Sequence, residues 1–317
     1  METIYFLVQQ TMLFSIPLLL VALGGMFSER SGVVNIALEG IMIIGAFTGI
    51  FFISRFGNLF SPTITLFIAI IISALSGLIF SLLHAYASIN MSADQVISGT
   101  ALNIFVPAFA IYVTRAIQVV QQISFVNNFR IESVPVLGNI PIIGNLLFKN
   151  AYITTYLGFI ILALSWFALY KTRFGLRLRS CGEHPQAADS VGINVYKMRY
   201  FGVAISGALA GIGGLVFVIP TSTNFNATVA GYGFLALAVL IFGQWKPMRI
   251  LYAAFFFGLM KTLASAYSGI PILANLPISN SVYKMIPYIT TIIVLAFTSK
   301  NSQAPKASGL PYDKSVR

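Results

Sequence analysis

Long uninterrupted apolar runs dominate this sequence, and "PTITLFIAIIISALSGLIFSLL" (62–83) is typical of them. A helix of about 20 apolar residues is long enough to cross the ~30 Å hydrocarbon core of a bilayer. A membrane β-barrel would instead alternate apolar and polar residues in strands of about ten residues. The runs therefore predict an all-α integral membrane protein.

Apolar runs of about 17 to 25 residues predict about nine transmembrane helices, within a range of roughly eight to ten. They lie near residues 9–27, 34–54, 62–87, 95–114, 150–170, 200–220, 229–244, 249–268 and 281–298. The composition agrees, because only 9% of the residues are charged, whereas a soluble domain carries about a quarter. We expect one polytopic domain over residues 1–299, followed by a C-terminal tail, 300–317.

Basic residues predict the orientation of the helices. Six Lys and Arg lie in residues 171–199, two in 246–249 and four after 299. With nine spans these segments lie on one side of the membrane, and the positive-inside rule makes that side cytoplasmic. The C-terminus is then cytoplasmic. The net charge of +11 is explained by orientation, so nucleic acid is not an expected partner.

The segment 115–149 falls on the opposite side and mixes Asn, Gln, Pro and Gly with short apolar stretches. This composition predicts a structured external loop with an interfacial or partly re-entrant portion. A loop of this length is either a simple connection or a docking surface, and long loops in compact proteins are often functional.

Several kinds of chemistry lack their motifs. One cysteine, Cys181, and two distant histidines, His84 and His184, exclude a Cys-based metal cluster and argue against a His-rich one. No phosphate-binding loop or catalytic signature is present, so we expect neither an enzyme nor a bound cofactor. Gly207 and Gly211 form a small-xxx-small pair inside a predicted span, which favours close helix packing.

The stretch "GLRLRSCGEHPQAADSVGIN" (175–194) predicts a short helix in the basic loop. Pro185 suits its first turn, Glu183 suits the positive N-terminal end, and Gly192 ends it. Ala187 and Ala188 give the helix a small face that fits a groove on another protein. The alternative is a basic loop that only fixes the topology.

The same stretch contains "QAADSVG" (186–192), and it resembles the Ala-Ala-x-x-x-Gly core through which bacterial ABC importer permeases hold their ATPase. Gln186 stands where the family usually has Glu. Four ordered blocks resemble the permease branch for nucleosides and simple sugars, which is related to branched-chain amino acid and ribose permeases. These blocks are "SERSGVVNIALEGIMIIGAFTG" (28–49), "DQVISGTALN" (94–103), "FGLRLRSCGEHPQAADSVGIN" (174–194) and "LPYDKSVR" (310–317).

The resemblance implies a type II ABC importer permease in the bacterial inner membrane. Its implied partners are a cytoplasmic ATPase, a second permease of the same or a sister chain, and an extracytoplasmic solute-binding lipoprotein. The implied solute is a nucleoside, with a simple sugar or a riboflavin-like compound as alternatives. The implied ATPase-coupling residues are Glu183, Pro185, Gln186, Ala187, Ala188 and Gly192.

Four polar residues inside predicted spans are candidates for the solute pathway: Asn35, Glu39, Asn103 and Lys261. A carboxyl group facing lipid is costly, so Glu39 should point into the protein. It either accepts hydrogen bonds from a broken helix and stabilises the fold, or it contacts solute. Lys261 either extends towards the membrane surface or faces a wet cavity. If the protein were an ion-coupled transporter without an ATPase, Glu39 would be the coupling residue.

Overall fold

The computed structural model describes residues 2–126, 128–134, 138, 140–141, 144–267, 279–298 and 303–314. These residues are mainly helical, as the apolar runs predict. The helices are α1 (Glu2–Ser31), α2 (Leu38–Phe56), α3 (Pro62–Ala85), α4 (Gln95–Gln118), α5 (Ile153–Lys171), α6 (Arg173–Glu183), α7 (Pro185–Ser190), α8 (Val195–Thr221), α9 (Tyr232–Phe242), α10 (Pro247–Ala266) and α11 (Asn280–Thr298). Two π-helical turns, Tyr86–Asn90 and Gly144–Phe148, and four short strands accompany them.

In the described part of the chain, 7 helices are long and apolar enough to cross a membrane: α1 to α5, α8 and α10. This confirms the all-α multi-pass class. The predicted segments 229–244 and 281–298 contain shorter apolar helices. Helix α9 has 11 residues, so at 1.5 Å per residue it is about 16 Å long, half of the hydrocarbon core. The count of nine spans stays a prediction.

Helix α8 lies at the centre of the bundle and packs against α1, α2 and α3. In the most apolar stretch of this helix, 83% of the residues are buried. A Cβ atom at Gly207 would overlap the Ser81 side chain, and one at Gly211 would overlap the backbone of Ser73. The two glycines therefore let α8 and α3 approach closely, which confirms their predicted packing role.

Two helices begin inside the bundle. Between α1 and α2, Gly32 lies against Arg199, whereas Asn35 is hydrogen-bonded to Ser206. Those two α8 residues are about 10 Å apart along the helix, so the connecting segment climbs beside α8 before α2 begins. Helix α9 starts after Gly231, whose φ is +78°. We call the region where the N-termini of α2 and α9 meet the central junction.

The four short strands lie at one end of the bundle. β2 (Arg130–Ser133) pairs with β3 (Lys149–Tyr152), and β1 (Ile123–Ser124) pairs with β4 (Asn224–Phe225), both antiparallel. β1, β2 and the π-helical turn Gly144–Phe148 belong to the segment 115–149, whose external position stays a prediction. At the opposite end lie the C-terminal end of α1, helices α6 and α7, the first turns of α8, the α9–α10 turn and residues 303–314. We call this the basic end.

Candidate functional site: the central junction and the basic end

Glu39 connects the two broken helices of the central junction. Its side chain is buried, and its carboxyl oxygens accept hydrogen bonds from the backbone N–H groups of Gly231 (2.9 Å) and Gly233 (2.6 Å). The first N–H groups of a helix have no partner within the helix, and they carry its partial positive charge. The Glu39 carboxyl group therefore caps α9 from α2, as the first of the two alternatives for Glu39 predicts, whereas its contact with solute stays a prediction.

Asn103 of α4 performs the same task for α2. Its Oδ1 accepts a hydrogen bond from the N–H of Gly40 at 2.8 Å, and its Nδ2 donates to the carbonyl oxygen of Ile36 at 2.9 Å. Both polar ends of the amide are thus used to hold the entry to α2. Asn103 is an interhelical hydrogen-bonding group in this conformation, and its contact with solute stays a prediction.

Asn35 lies at the end of the ascending segment and is fully buried. Its Nδ2 donates to the Ser206 hydroxyl at 2.9 Å, and its Oδ1 accepts from the N–H of Ala37 at 3.2 Å. Asn103 therefore meets Asn35 and Glu39 at one place, although more than sixty positions separate it from them in the sequence. Together they satisfy backbone groups that two helix breaks leave open inside the bundle.

Lys261 of α10 reaches the start of α9. Its Nζ lies 5.9 Å from the centre of the Tyr232 ring, and the Tyr232 ring lies 4.0 Å from that of Phe217. The Tyr232 hydroxyl is buried and has no hydrogen-bond partner among the described residues. The ammonium group thus points towards an aromatic pair. The sequence analysis missed Tyr232; the two glycines beside it in "AGYG" (230–233) were the available signal.

The basic end is held by the last turn of α1. The Arg30 guanidinium donates to the carbonyl oxygen of Trp245 (3.1 Å) and lies 3.5 Å from the Glu183 carboxyl group. The Trp245 indole N–H donates to Glu29 at 2.6 Å. These contacts join α1 to the end of α6 and to the α9–α10 turn. Movement of α6 would therefore reach α9, whose other end is capped by Glu39.

Helix α7 follows α6 after a one-residue break at His184. Pro185 occupies its first turn, as predicted, but the residue that caps it is His184, whose Nδ1 accepts from the N–H of Ala187 at 3.2 Å. Glu183 is the last residue of α6 and directly precedes this cap, so its interaction with the positive end of α7 stays a prediction. Gly192 has a φ of +83° and ends the turn after α7, as predicted.

The two alanines of α7 face opposite ways. Ala187 is exposed together with Gln186, whereas Ala188 is only 3% exposed and packs against Cys181, Val195 and Tyr312. The expectation that both alanines form an outward face is therefore wrong for Ala188. The outer surface of α7 is formed by Gln186, Ala187 and Ser190, and Ala188 anchors the helix to its own chain.

No group of three or more His, Cys, Asp or Glu that could hold a metal ion occurs in the described segments. The polar centre of the molecule is instead a set of helix caps. Discontinuous helices that meet inside a multi-pass bundle are a common feature of membrane transport proteins.

Sequence comparisons identify the kind of transport protein. The family described as branched-chain amino acid transport system / permease component matches residues 7–295. The chain belongs to this family. It is an ABC transporter permease of the branch that includes nucleoside and sugar permeases, and it is a transport subunit and not an enzyme.

Three relatives are informative. The chain is 44% identical to the guanosine ABC transporter permease protein NupQ of Bacillus subtilis, over 98% of this chain and 97% of the relative. It is 42% identical to the nucleoside ABC transporter permease protein NupC of Lactococcus lactis, over 99% and 98%. It is 29% identical to a putative glucose ABC transporter permease protein, TsgC13, of Haloferax volcanii, over 88% and 87%. No solved structure matches the chain.

Proposed function

We propose that this protein is the membrane-spanning permease subunit of an ABC importer that takes up a nucleoside by alternating access. The observation that carries the proposal is the full-length similarity to permeases named for nucleosides and guanosine. The sugar permease is a more distant relative. A simple sugar and a riboflavin-like compound are the alternative solutes within this class.

The central junction supports an uncharged solute. Where transporters bind anionic substrates, the N-termini of broken helices often point at the anionic group. Here the start of α9 is capped by Glu39 and that of α2 by Asn103. The protein's own side chains thus occupy the positions that a carboxylate or phosphate would take. A neutral nucleoside fits this arrangement better than an amino acid or a nucleotide.

We place the solute pathway beside the group formed by Lys261, Tyr232 and Phe217. Lys261 and the Tyr232 hydroxyl are hydrogen-bond donors, and the two rings offer faces on which a base stacks. Asn35, Glu39 and Asn103 shape the wall of this pathway by fixing where α2 and α9 begin. Of the four polar candidates, Lys261 is the one that we propose to contact solute.

The proposed topology puts the basic end and the C-terminus in the cytoplasm, in agreement with the positive-inside rule. Helices α9 and α11 then complete about nine membrane-embedded segments. The proposed partners are a cytoplasmic ATPase, a second permease chain and an extracytoplasmic solute-binding lipoprotein, with the assembly in the bacterial inner membrane.

In the proposed mechanism, the ATPase moves α7 and α6 when it binds and hydrolyses ATP. Arg30 contacts both Glu183 at the end of α6 and Trp245 in the α9–α10 turn. The movement is thus passed to α1 and α9, which line the central junction. Opening and closing of the pathway follows from this movement, so ATP chemistry stays on the partner subunit.

The test begins with gentle purification of the tagged protein from its native membrane and identification of the co-purified proteins by mass spectrometry. The complex is then reconstituted in vesicles, and uptake of tritium-labelled guanosine is measured with ATP or a non-hydrolysable analogue. We expect a stoichiometric ATPase and ATP-dependent uptake that unlabelled nucleosides inhibit. If only ribose, glucose or riboflavin competed, that compound and not a nucleoside would be assigned as the solute.

A second outcome would favour a different class. Uptake that needs no ATPase and disappears in Glu39→Gln would support an ion-coupled transporter. The hydrogen bonds of Glu39 to α9 argue against it, because this carboxyl group already has two donors.

A further inference from the structure

Residues 303–314, here called the C-terminal strap, cross the basic end and bind to three separate parts of the chain. The Gln303 N–H donates to the Gln244 side chain at 2.8 Å. The Ala307 N–H donates to the carbonyl oxygen of Gly182 in α6, also at 2.8 Å. The Gly309 N–H donates to that of Gly32, just after α1, at 3.2 Å. The strap therefore joins α6, α1 and the α9–α10 turn.

The end of the strap is buried beneath α7. Tyr312 is 5% exposed and lies in one apolar cluster with Ala188 and Cys181. Burial, together with the neighbouring Asp189 side chain of α7, raises the pKa of the Tyr312 hydroxyl. The phenol is thus protonated at neutral pH, and the packing of Tyr312 with Ala188 places the strap against the short helix.

Arg199 in the second turn of α8 fixes the strap from the other side. Its side chain is almost completely buried. Its Nη1 donates to the carbonyl oxygen of Leu310 at 3.0 Å, and its guanidinium lies 5.9 Å from the centre of the Tyr312 ring. A buried guanidinium needs hydrogen-bond partners. The strap supplies one of those of Arg199, the carbonyl oxygen of Leu310.

We propose that the C-terminal strap transmits force within the importer: Tyr312 is a positioning residue that clamps α7 to α6, α1 and α8. This inference rests on the proposed function of α7 as the ATPase contact. An isolated helix of six residues is unstable in water, so α7 can push on the bundle only if something holds it. The strap supplies the aromatic ring of Tyr312, which packs beneath Ala188 of α7.

Cys181 offers a built-in reporter for the first part of the test. It is the only cysteine of the chain, it is fully buried beside Tyr312, and burial raises the pKa of its thiol to about 11. It should therefore react slowly with a maleimide in membrane vesicles containing the complete transporter. Removing the Tyr312 ring with Tyr312→Ala should accelerate labelling about tenfold or more, because a buried aromatic side chain normally holds such a cluster closed.

Three matched variants control this result. Leu310→Ala changes a strap side chain that is 58% exposed, and it should leave labelling and uptake unchanged. Tyr312→Phe keeps the ring and should retain the slow labelling of the wild type. Tyr312→Leu keeps an apolar side chain but removes the ring and the hydroxyl. It decides the question if Tyr312→Ala does not reach the membrane.

The second part measures transport per ATP hydrolysed. We expect Tyr312→Ala and Tyr312→Leu to retain the ATPase subunit and its hydrolysis but to lose most solute uptake, with Tyr312→Phe largely restoring it. Equal loss of hydrolysis and uptake, or wild-type labelling and coupling in both variants, would overturn the proposal. If the wild-type complex contains no ATPase, the importer function fails; the labelling contrast would then still report whether the strap covers Cys181.

Discussion

The central junction and the basic end both contain places where one helix ends and another begins, and the contacts that hold these places differ. In the central junction, side chains from other helices satisfy the helix N-termini: Glu39 accepts hydrogen bonds at 2.6 and 2.9 Å, and Asn103 accepts one at 2.8 Å. At the basic end, the Trp245 indole N–H also makes a short hydrogen bond, 2.6 Å to the buried Glu29, but the ion pair that reaches α6 from Arg30 is 3.5 Å long, and its partner Glu183 is 46% exposed. We infer that the first arrangement is rigid, whereas the contact of Arg30 with α6 in the second yields more easily when α6 is displaced.

The largest expected effect is that of Glu39→Ala. It leaves the N–H groups of Gly231 and Gly233 without a partner inside the bundle, and we expect a loss of about 4 kcal/mol of folding free energy for two such bonds. Thermal unfolding of the detergent-solubilised protein measures the loss. Glu39→Gln keeps one strong acceptor and should lose about half as much. If Glu39→Ala were as stable as the wild type, the conclusion that the central junction is rigid would be wrong.

Ala188 and Ala187 give a matched pair at the basic end. Ala188→Arg forces a charged side chain into the cluster with Cys181 and Tyr312 and should cost about 3 kcal/mol, seen as lower thermal stability. Ala187→Arg is on the exposed side and should change stability by less than about 0.5 kcal/mol. It should nevertheless reduce co-purification of the ATPase. Full recovery of the ATPase with Ala187→Arg would contradict the assignment of the outer face of α7.

Asn103→Ala tests the second cap of the central junction. It removes both hydrogen bonds, to Gly40 and to Ile36, and we expect destabilisation of about 2 kcal/mol in the same unfolding assay. Asn103→Asp keeps the acceptor and loses the donor, so its stability should lie between that of Asn103→Ala and that of the wild type. If the alanine variant is as stable as the wild type but transports poorly, Asn103 has its main role in the pathway.

The smallest expected effect is that of Glu183→Gln. Solvent screens this ion pair because Glu183 is about half exposed, so the loss of stability should be below about 1 kcal/mol. Any effect should shrink further in high salt. A loss as large as that of Glu39→Ala would mean that the basic end is as rigid as the central junction, and the contrast between the two regions would disappear.

Local patterns predicted much of the fold. The apolar runs located the helices, and Pro185, Gly192 and the pair Gly207 and Gly211 carried their expected structural roles. These successes share a cause: each depends on the conformation or size of a residue within one helix or turn. The short length of α9 was not predicted, because residues 229–244 are apolar throughout and hydropathy does not register a break at Gly231.

The candidate site was predicted in part. Hydrogen bonding to a broken helix was one of the two alternatives for Glu39, and the structure contains it, but its partner could not be identified because Gly231 lies 192 positions away. Arg199 was counted with the basic loop that sets the topology, although it is buried and holds the strap. Tyr312 was part of a resemblance only. Such long-range contacts depend on tertiary packing, which no local periodicity encodes.

The measurement that most directly tests the account is photo-crosslinking from α7 in native membranes. In one variant, a photoreactive amino acid replaces Gln186, which lies on the exposed face of α7. In a second variant of the same protein, it replaces Leu310 on the strap. The account predicts a crosslink from position 186 to an ABC ATPase that changes when ATP is trapped, and a much weaker one from position 310. Active uptake with no ATPase crosslink from position 186 would contradict the assignment of α7 as the coupling helix.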